Sequence, residues 1–374
     1  MAKDTEQKSS GVKRLILRAL WLLLIPFGLW LPTLASRYPD IVERYFSRGA
    51  YPYISGALAG LTSSISASVA EIIVILAVLF VVCYLLGGIF KLFMRKIRVS
   101  DFLSRIVSLG IIAGILLNLF YVCWGFNYYR PSLYTLMQLP VRERSVDELE
   151  SLCKRLAEES NELRLLVDED TAGVFTPGRP YEDCFDELPS AYSSLSKKIN
   201  VIVQKAYPAK AVYFSNAMSY TGIAGIFFPY TGEPNVNVDQ PPLLALSSAA
   251  HEMAHFQGIA REDEANFIAY LACMESSDPA IRYSGAMLAL INCGNKLYAA
   301  DENKYFAISS SYSDEIVRDI KNYNAYWKAF DGPIEKFSTE LNDSYLKFNQ
   351  QENGVRSYGM MVDLLLAYYS QPAQ

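Results

Sequence analysis

HEMAHFQGIAREDEAN, residues 251–266, holds both histidines of the 374-residue chain, four positions apart. On an α-helix, residues with that spacing sit about 40° apart in azimuth and roughly 6 Å apart along the axis. His251 and His255 therefore point at a common centre, and their imidazoles can ligate one metal ion. The preceding text, LLALSSAA, continues the same helix back to Pro241 and Pro242, which suit a helical first turn.

Glu252 stands one step round from His251, close to that centre without having to bind it. A carboxylate in this position can take a proton from a zinc-activated water and later deliver it to a leaving amine, the chemistry of a His-Glu-x-x-His sequence. Catalytic zinc takes a third protein ligand and keeps a place for water. Six residues after His255 stands Arg261, whose guanidinium cannot coordinate a metal, so the metzincin arrangement is excluded.

The acidic run Glu262-Asp263-Glu264 supplies three alternatives for the third ligand. On an uninterrupted helix Glu264 would lie about 180° round and roughly 13.5 Å up the axis from His255, beyond the reach of a shared ion. A turn is required, and Gly258 is suited to a left-handed helix stop, with a new helix expected near Arg261. In that helix Phe267, Ile268, Leu271 and Ala272 form an apolar stripe with Glu264 at its centre. A carboxylate aimed into apolar packing needs a partner or a cation, which favours Glu264 as the ligand. Glu262 and Asp263 fall on the flanks, where first-turn acids are favoured by the helix dipole.

The rest of the chain is organised around a membrane. Hydrophobic residues make up 51% of it, and three stretches, Ala19 to Ala35, Ile72 to Phe90 and Ile106 to Trp124, have the length and apolarity of spans. The first resembles a signal sequence in its basic approach and in Thr33-Leu-Ala35, but its length and prolines favour an uncleaved anchor. Lys3, Lys8, Lys13, Arg14 and Arg18 precede span 1; Lys91, Arg95, Lys96, Arg98 and Arg105 crowd the connection between spans 2 and 3. The positive-inside rule puts both groups in the cytoplasm and residues 125–374 outside. Residues 1–124 then form the membrane region, in a plasma membrane, with Tyr121, Trp124, Tyr128 and Tyr129 as an interfacial belt. The net charge of −5 argues against nucleic acid as a partner. Cys153, Cys184, Cys273 and Cys293 fall where disulfides are permitted, but no Cys-x-x-Cys pair exists, and spacing fixes neither their pairing nor the oligomeric state.

In the outer part, Ser145-x-x-Glu148 reads as a capping box opening an amphipathic helix with Val146, Leu149, Leu152 and Leu156. Another helix is expected over Leu188 to Tyr207, two or three short strands over Ala211 to Val238, and helices over Asp278–Ala299, Ser313–Phe330, Pro333–Asn349 and Tyr358–Tyr369. The fold class is α+β, a mainly helical domain with a small sheet behind three transmembrane helices.

The block His251-Glu252-Met-Ala-His255 with Glu264-Ala-Asn266-Phe267 resembles the gluzincin-type zinc peptidases, in particular a bacterial repressor-cleaving group whose Glu-Ala-Asn supplies the third ligand. With the three spans, FNYYRPSL and the closing GVRSYGMMVDLLLAYY, the chain also resembles a bacterial family of multi-pass membrane proteins with a zincin-like outer domain. The resemblance implies Zn2+ held by His251, His255 and Glu264, Glu252 as general base and acid, and a peptide or protein substrate. It departs from typical gluzincins in the short interval to Glu264. By the same likeness Gly225–Pro229 or Asn235–Val238 could serve as a substrate strand, with an ordinary strand as the equal alternative, whereas Arg356 and Tyr358, weighed as oxyanion donors, receive no role. The contrasting expectation is a non-catalytic signalling or scaffolding protein with a structural or sensory metal site, for which Glu252 would be unnecessary. An intramembrane protease fits less well, because the motif lies far beyond the three spans.

Overall fold

The computed structural model describes residues 16–349, 351 and 360–371. Arg356 and Tyr358, and the basic residues 3–14, lie outside the described residues. The chain is mainly helical, with three helices long and apolar enough to cross a membrane: Ile16–Ala35, Val69–Phe93 and Val99–Cys123. Their apolar side chains are largely exposed, as a lipid-facing surface requires. Spans 1 and 3 are tied by polar contacts that hydrocarbon would otherwise leave unmet: Asn118 Nδ2 donates to the Leu24 carbonyl at 2.8 Å, and Arg18 donates to Ser104 and Ser108, each at 2.8 Å.

Beyond the spans the helices that position the site are α1 (Val146–Arg164), α2 (Pro242–Phe256), α3 (Glu262–Met274), α4 (Pro279–Ala300), α5 (Asp314–Lys328), α6 (Pro333–Phe348) and α7 (Met361–Tyr369). The capping box at the start of α1 is formed on both sides, Ser145 accepting from the Glu148 amide and Glu148 from the Ser145 amide. Helices α2, α3 and α4 pack against one another, and α1 covers α4. Their shared core includes Leu156, Leu246, Phe267, Tyr270, Tyr283, Met287 and Leu365. The helix expected over Leu188 to Tyr207 ends at Leu195. Beyond it β-branched Ile199, Val201 and Ile202 follow an irregular path that turns Gln204 back onto the Phe256 carbonyl.

The sheet has three short strands, β1 (Lys210–Ala211), β2 (Gly225–Phe228) and β3 (Glu233–Val236), in the order β1-β3-β2. Central β3 runs parallel to β1 and antiparallel to β2, with Gly225 opposite Val236 and Phe228 opposite Glu233. Strand β2 is therefore an edge. The sheet is fastened to span 2: the Glu233 carboxylate accepts from the amides of Val69 at 3.2 Å and Ala70 at 2.7 Å, neutralising the positive end of that helix. In return Glu71 accepts from the amides of Tyr213 and Phe214, at 2.9 and 2.8 Å.

Residues between spans 1 and 2, which the sequence patterns left without structure, are helical from Pro39 to Thr62 and include a wide i→i+5 stretch, Val42–Ala50. They pack into a second core with residues from far along the chain: Tyr51, Tyr121, Trp124, Tyr128, Phe227, Phe256 and Ala260. A buried ion pair pins this layer. Arg130 donates to both Glu43 oxygens, at 2.7 and 2.9 Å, and to the Gly258 carbonyl at 3.0 Å. Removing one member of such a pair leaves an uncompensated buried charge. Glu43→Ala is therefore expected to cost about 3–5 kcal/mol, read as a lowered midpoint in thermal unfolding of the full chain in nanodiscs; an unchanged midpoint would remove the pair from the fold's support.

Candidate metal centre

Helix α2 begins with Pro242 at its first position and ends at Phe256. Gly258, at φ +79°, then turns the chain in the left-handed region, and the Ile259 amide reaches back to the Ala254 carbonyl at 3.2 Å. A Cβ at Gly258 would meet the Tyr51 ring at 3.1 Å and Asn127 at 3.2 Å, so both the backbone angle and the space require glycine. The last carbonyls of α2 have no partner within the helix. They are met from the membrane side: Trp124 Nε1 donates to the His255 carbonyl at 3.0 Å, and Tyr51 Oη to that of Phe256 at 2.8 Å, where Gln204 also donates.

The new helix α3 follows Arg261, and its first residue, Glu262, faces the two imidazoles. Glu262 Oε2 lies 3.1 Å from His251 Nε2 and 3.5 Å from His255 Nε2, and the three donor atoms fall within 4.8 Å of one another. Two ligands about 2.05 Å from a tetrahedral ion stand about 3.3 Å apart, which the two measured separations bracket. Two imidazoles and one carboxylate are a donor set of the type that zinc takes, so the residues fit such an ion.

The other ring nitrogens are fixed by the surrounding chain. His255 Nδ1 is 2.7 Å from the Ile259 carbonyl, and donating there turns Nε2 toward Glu262. His251 Nδ1 is 2.7 Å from Asn266 Oδ1 and is oriented in the same way. Asn266 is four residues after Glu262, so one face of α3 supplies both the carboxylate and the group that aims a histidine. The Trp124 ring stands edge-on to His255, centroids 5.8 Å apart.

Glu264 is placed elsewhere. Its Oε1 accepts from the Leu133 amide at 2.6 Å and from Arg261 at 3.1 Å, which bind the start of α3 to the segment leaving span 3. The buried carboxylate does have the partner its setting demands, but the partner is an amide and a guanidinium, not the imidazole pair. Asp263 is not part of the converging group; burial and the neighbouring Glu264 push its carboxyl up to about 7. An apolar stripe could not single out Glu262, because α3 is buried nearly all round and such a stripe has no unique centre.

Glu252 is buried beside the same cluster. Burial raises its carboxyl above the ordinary range, against the pull of His251 and His255 and a hydrogen bond from the Phe227 backbone. Edge strand β2 runs directly past it: a Cβ on Gly225 would lie 2.7 Å from Glu252 Cγ and Oε1, so glycine is what admits the carboxylate there. Burial opposes a charge on His255, but the Glu262 carboxylate outweighs it and lifts the imidazole to about 9. Glu262, whose burial acts the other way, is held well below the usual carboxylate range by His255 and His251. The rim is completed from α6 and the residues after it. Gln351 Oε1 accepts from the Glu262 amide at 3.2 Å, and Tyr345 Oη is 3.2 Å from Tyr128 Oη. Tyr51 and Gln351 escaped the sequence reading, as did the contact of Asn266 with His251 and the approach of Gly225 to Glu252; for Asn266 the available signal was its one-turn spacing from Glu262.

No curated protein and no solved structure matches the chain. A family model aligns with residues 46–366, from the layer around Tyr51 through the two histidines and into α7. Because that alignment takes in most of the sequence, the chain belongs to the family described as Protein of unknown function (DUF3810).

Proposed function

We propose that this is a membrane-anchored, zinc-dependent peptidase acting at the outer face of the plasma membrane. The observation that carries the reading is the convergence of His251 Nε2, His255 Nε2 and Glu262 Oε2, with a second buried acid, Glu252, alongside and needed for no ligand position. In this reading His251, His255 and Glu262 hold the ion. Zinc there would supply Lewis acidity, lowering the pKa of a water to about 7. Glu252 takes the proton from the attacking water and delivers it to the leaving amine; its raised proton affinity suits a group that must both accept and donate near neutral pH. The exposed edge of β2 pairs with an extended peptide through backbone hydrogen bonds, which would set the scissile carbonyl beside Glu252. The basic residues Lys91, Arg95, Lys96 and Arg98 around the turn between spans 2 and 3 support an outward orientation for the opposite end, where the cluster lies.

Glu252→Gln should retain stoichiometric zinc and lose about 10²–10⁴-fold in hydrolysis of a quenched-fluorescent peptide library by the full chain in nanodiscs. Full activity in that variant would remove Glu252 from the chemistry. Zinc retained with no cleavage even by the wild type would favour a structural or sensory metal site instead.

The two acids of α3 separate by metal content. Glu262→Ala is expected to lose zinc by elemental analysis, whereas Glu264→Ala should keep it and unfold at lower temperature, since its carboxylate ties Leu133 and Arg261. The opposite pattern would return the ligand role to Glu264.

Coordination requires neutral imidazoles, and His255 in the metal-free protein holds its proton up to about pH 9. Below that pH zinc uptake must displace the proton, so affinity should fall as pH falls. On the order of one proton per zinc should appear in weakly buffered solution at pH 7; uptake without proton release would contradict the coupling.

A further inference from the structure

Helix α6 carries an apolar stripe that none of the described residues covers. Ile334, Phe337, Leu341 and Phe348 are 59%, 67%, 62% and 48% exposed. At about 100° per residue they fall within a sector of about 60° along one side. Lys336, Glu340, Asp343 and Lys347 cluster on a different side, and Leu346, fully buried, marks the side packed on the protein. A four-turn helix with an uncovered row of large apolar groups and a separate charged row has the make-up of a helix that lies in a membrane interface.

Its position supplies the occupant. Tyr345, next to the stripe, packs edge-on against Phe120 at a centroid separation of 6.3 Å and meets Tyr128 through its hydroxyl. Phe120 is within one turn of the end of span 3, so the C-terminal end of α6 stands at the level where that span leaves hydrocarbon. An independent contact fixes the same level: Tyr230, in the turn between β2 and β3, donates to the Leu116 carbonyl of span 3 at 2.9 Å. Tyrosines from two separate elements thus grip the outermost two turns of the span, as interfacial aromatic residues do. The helix that carries the apolar stripe thus touches span 3 near its end.

We infer that α6 is an interfacial helix whose Ile334, Phe337, Leu341 and Phe348 side chains are seated in the lipid bilayer beside span 3, on the side of the membrane where the metal centre lies. Because α6 leads through Asn349 to Gln351 at the Glu262 amide, this seat also anchors one rim of the site to the bilayer. The inference stands on exposure and position and does not require the peptidase reading.

The experiment uses the full chain in lipid nanodiscs, with Cys83→Ser and Cys123→Ser removing the cysteines of the spans. Single substitutions Phe337→Cys, Leu341→Cys, Lys336→Cys and Glu340→Cys each carry an environment-sensitive NBD label. Lipids bearing a nitroxide near the top of the acyl chain should quench labels at 337 and 341 severalfold more than those at 336 and 340, with blue-shifted emission. Aqueous iodide should show the reverse order. Equal quenching at all four positions would overturn the bilayer seat. So would labels at 337 and 341 shielded from both quenchers, which would assign the stripe to a second copy of the chain or another protein.

Discussion

The left-handed turn at Gly258 is the constraint on which the centre depends. Two imidazoles on one helix and a carboxylate on the next can meet only if the chain reverses within about six residues, and the reversal uses a backbone angle that side-chain-bearing residues adopt at a cost. The turn also creates a difficulty, because it ends α2 in the protein interior with carbonyls exposed. Tyr51, Trp124 and Gln204 answer it, with Arg130 holding the Gly258 carbonyl. Every one of these groups comes from outside the histidine-bearing segment.

Three of those groups come from within or beside the membrane region. Tyr51 belongs to the layer between spans 1 and 2, Trp124 ends span 3, and Arg130 follows it, pinned by Glu43 from that same layer. The sheet is held in turn at the start of span 2 through Glu233 and Glu71. Membrane region and outer part are therefore one construction, sharing an aromatic core from Tyr51 to Phe256. A tether would have needed none of this packing. The geometry of the His251, His255 and Glu262 cluster is therefore set by residues within and beside the apolar helices.

Charge at the cluster follows from its enclosure. Three ionisable groups, Glu252, His255 and Glu262, are all nearly inaccessible to water, and burial acts against the charge of each. The opposite charges of Glu262 and His255, 3.5 Å apart, overcome that penalty for both. Glu252, less directly paired, is left with the higher proton affinity. Two acids in one chamber thereby acquire different characters, one held as an anion and one able to exchange a proton, a separation that acid–base chemistry exploits.

Periodicity and composition alone determined the three spans, the capping box at Ser145 and Glu148, the strands between 210 and 236, the helix opening at Pro242 and the stop at Gly258. Each depends on contacts within a few residues, or on a length of apolar chain, both readable along one dimension. The pairing of His251 with His255 was legible for the same reason. Which acid faces the two imidazoles was not: Glu262 and Glu264 are both buried, and their separation rests on the Leu133 amide, 131 positions away, holding Glu264. The layer at 39–62 was equally hidden, since its mixed polar and apolar text acquires a core only against Trp124, Phe227 and Phe256. Local hydrogen-bonding and hydrophobic periods are properties of the chain, whereas the choice among chemically equivalent carboxylates is made by whichever distant donor reaches one of them first.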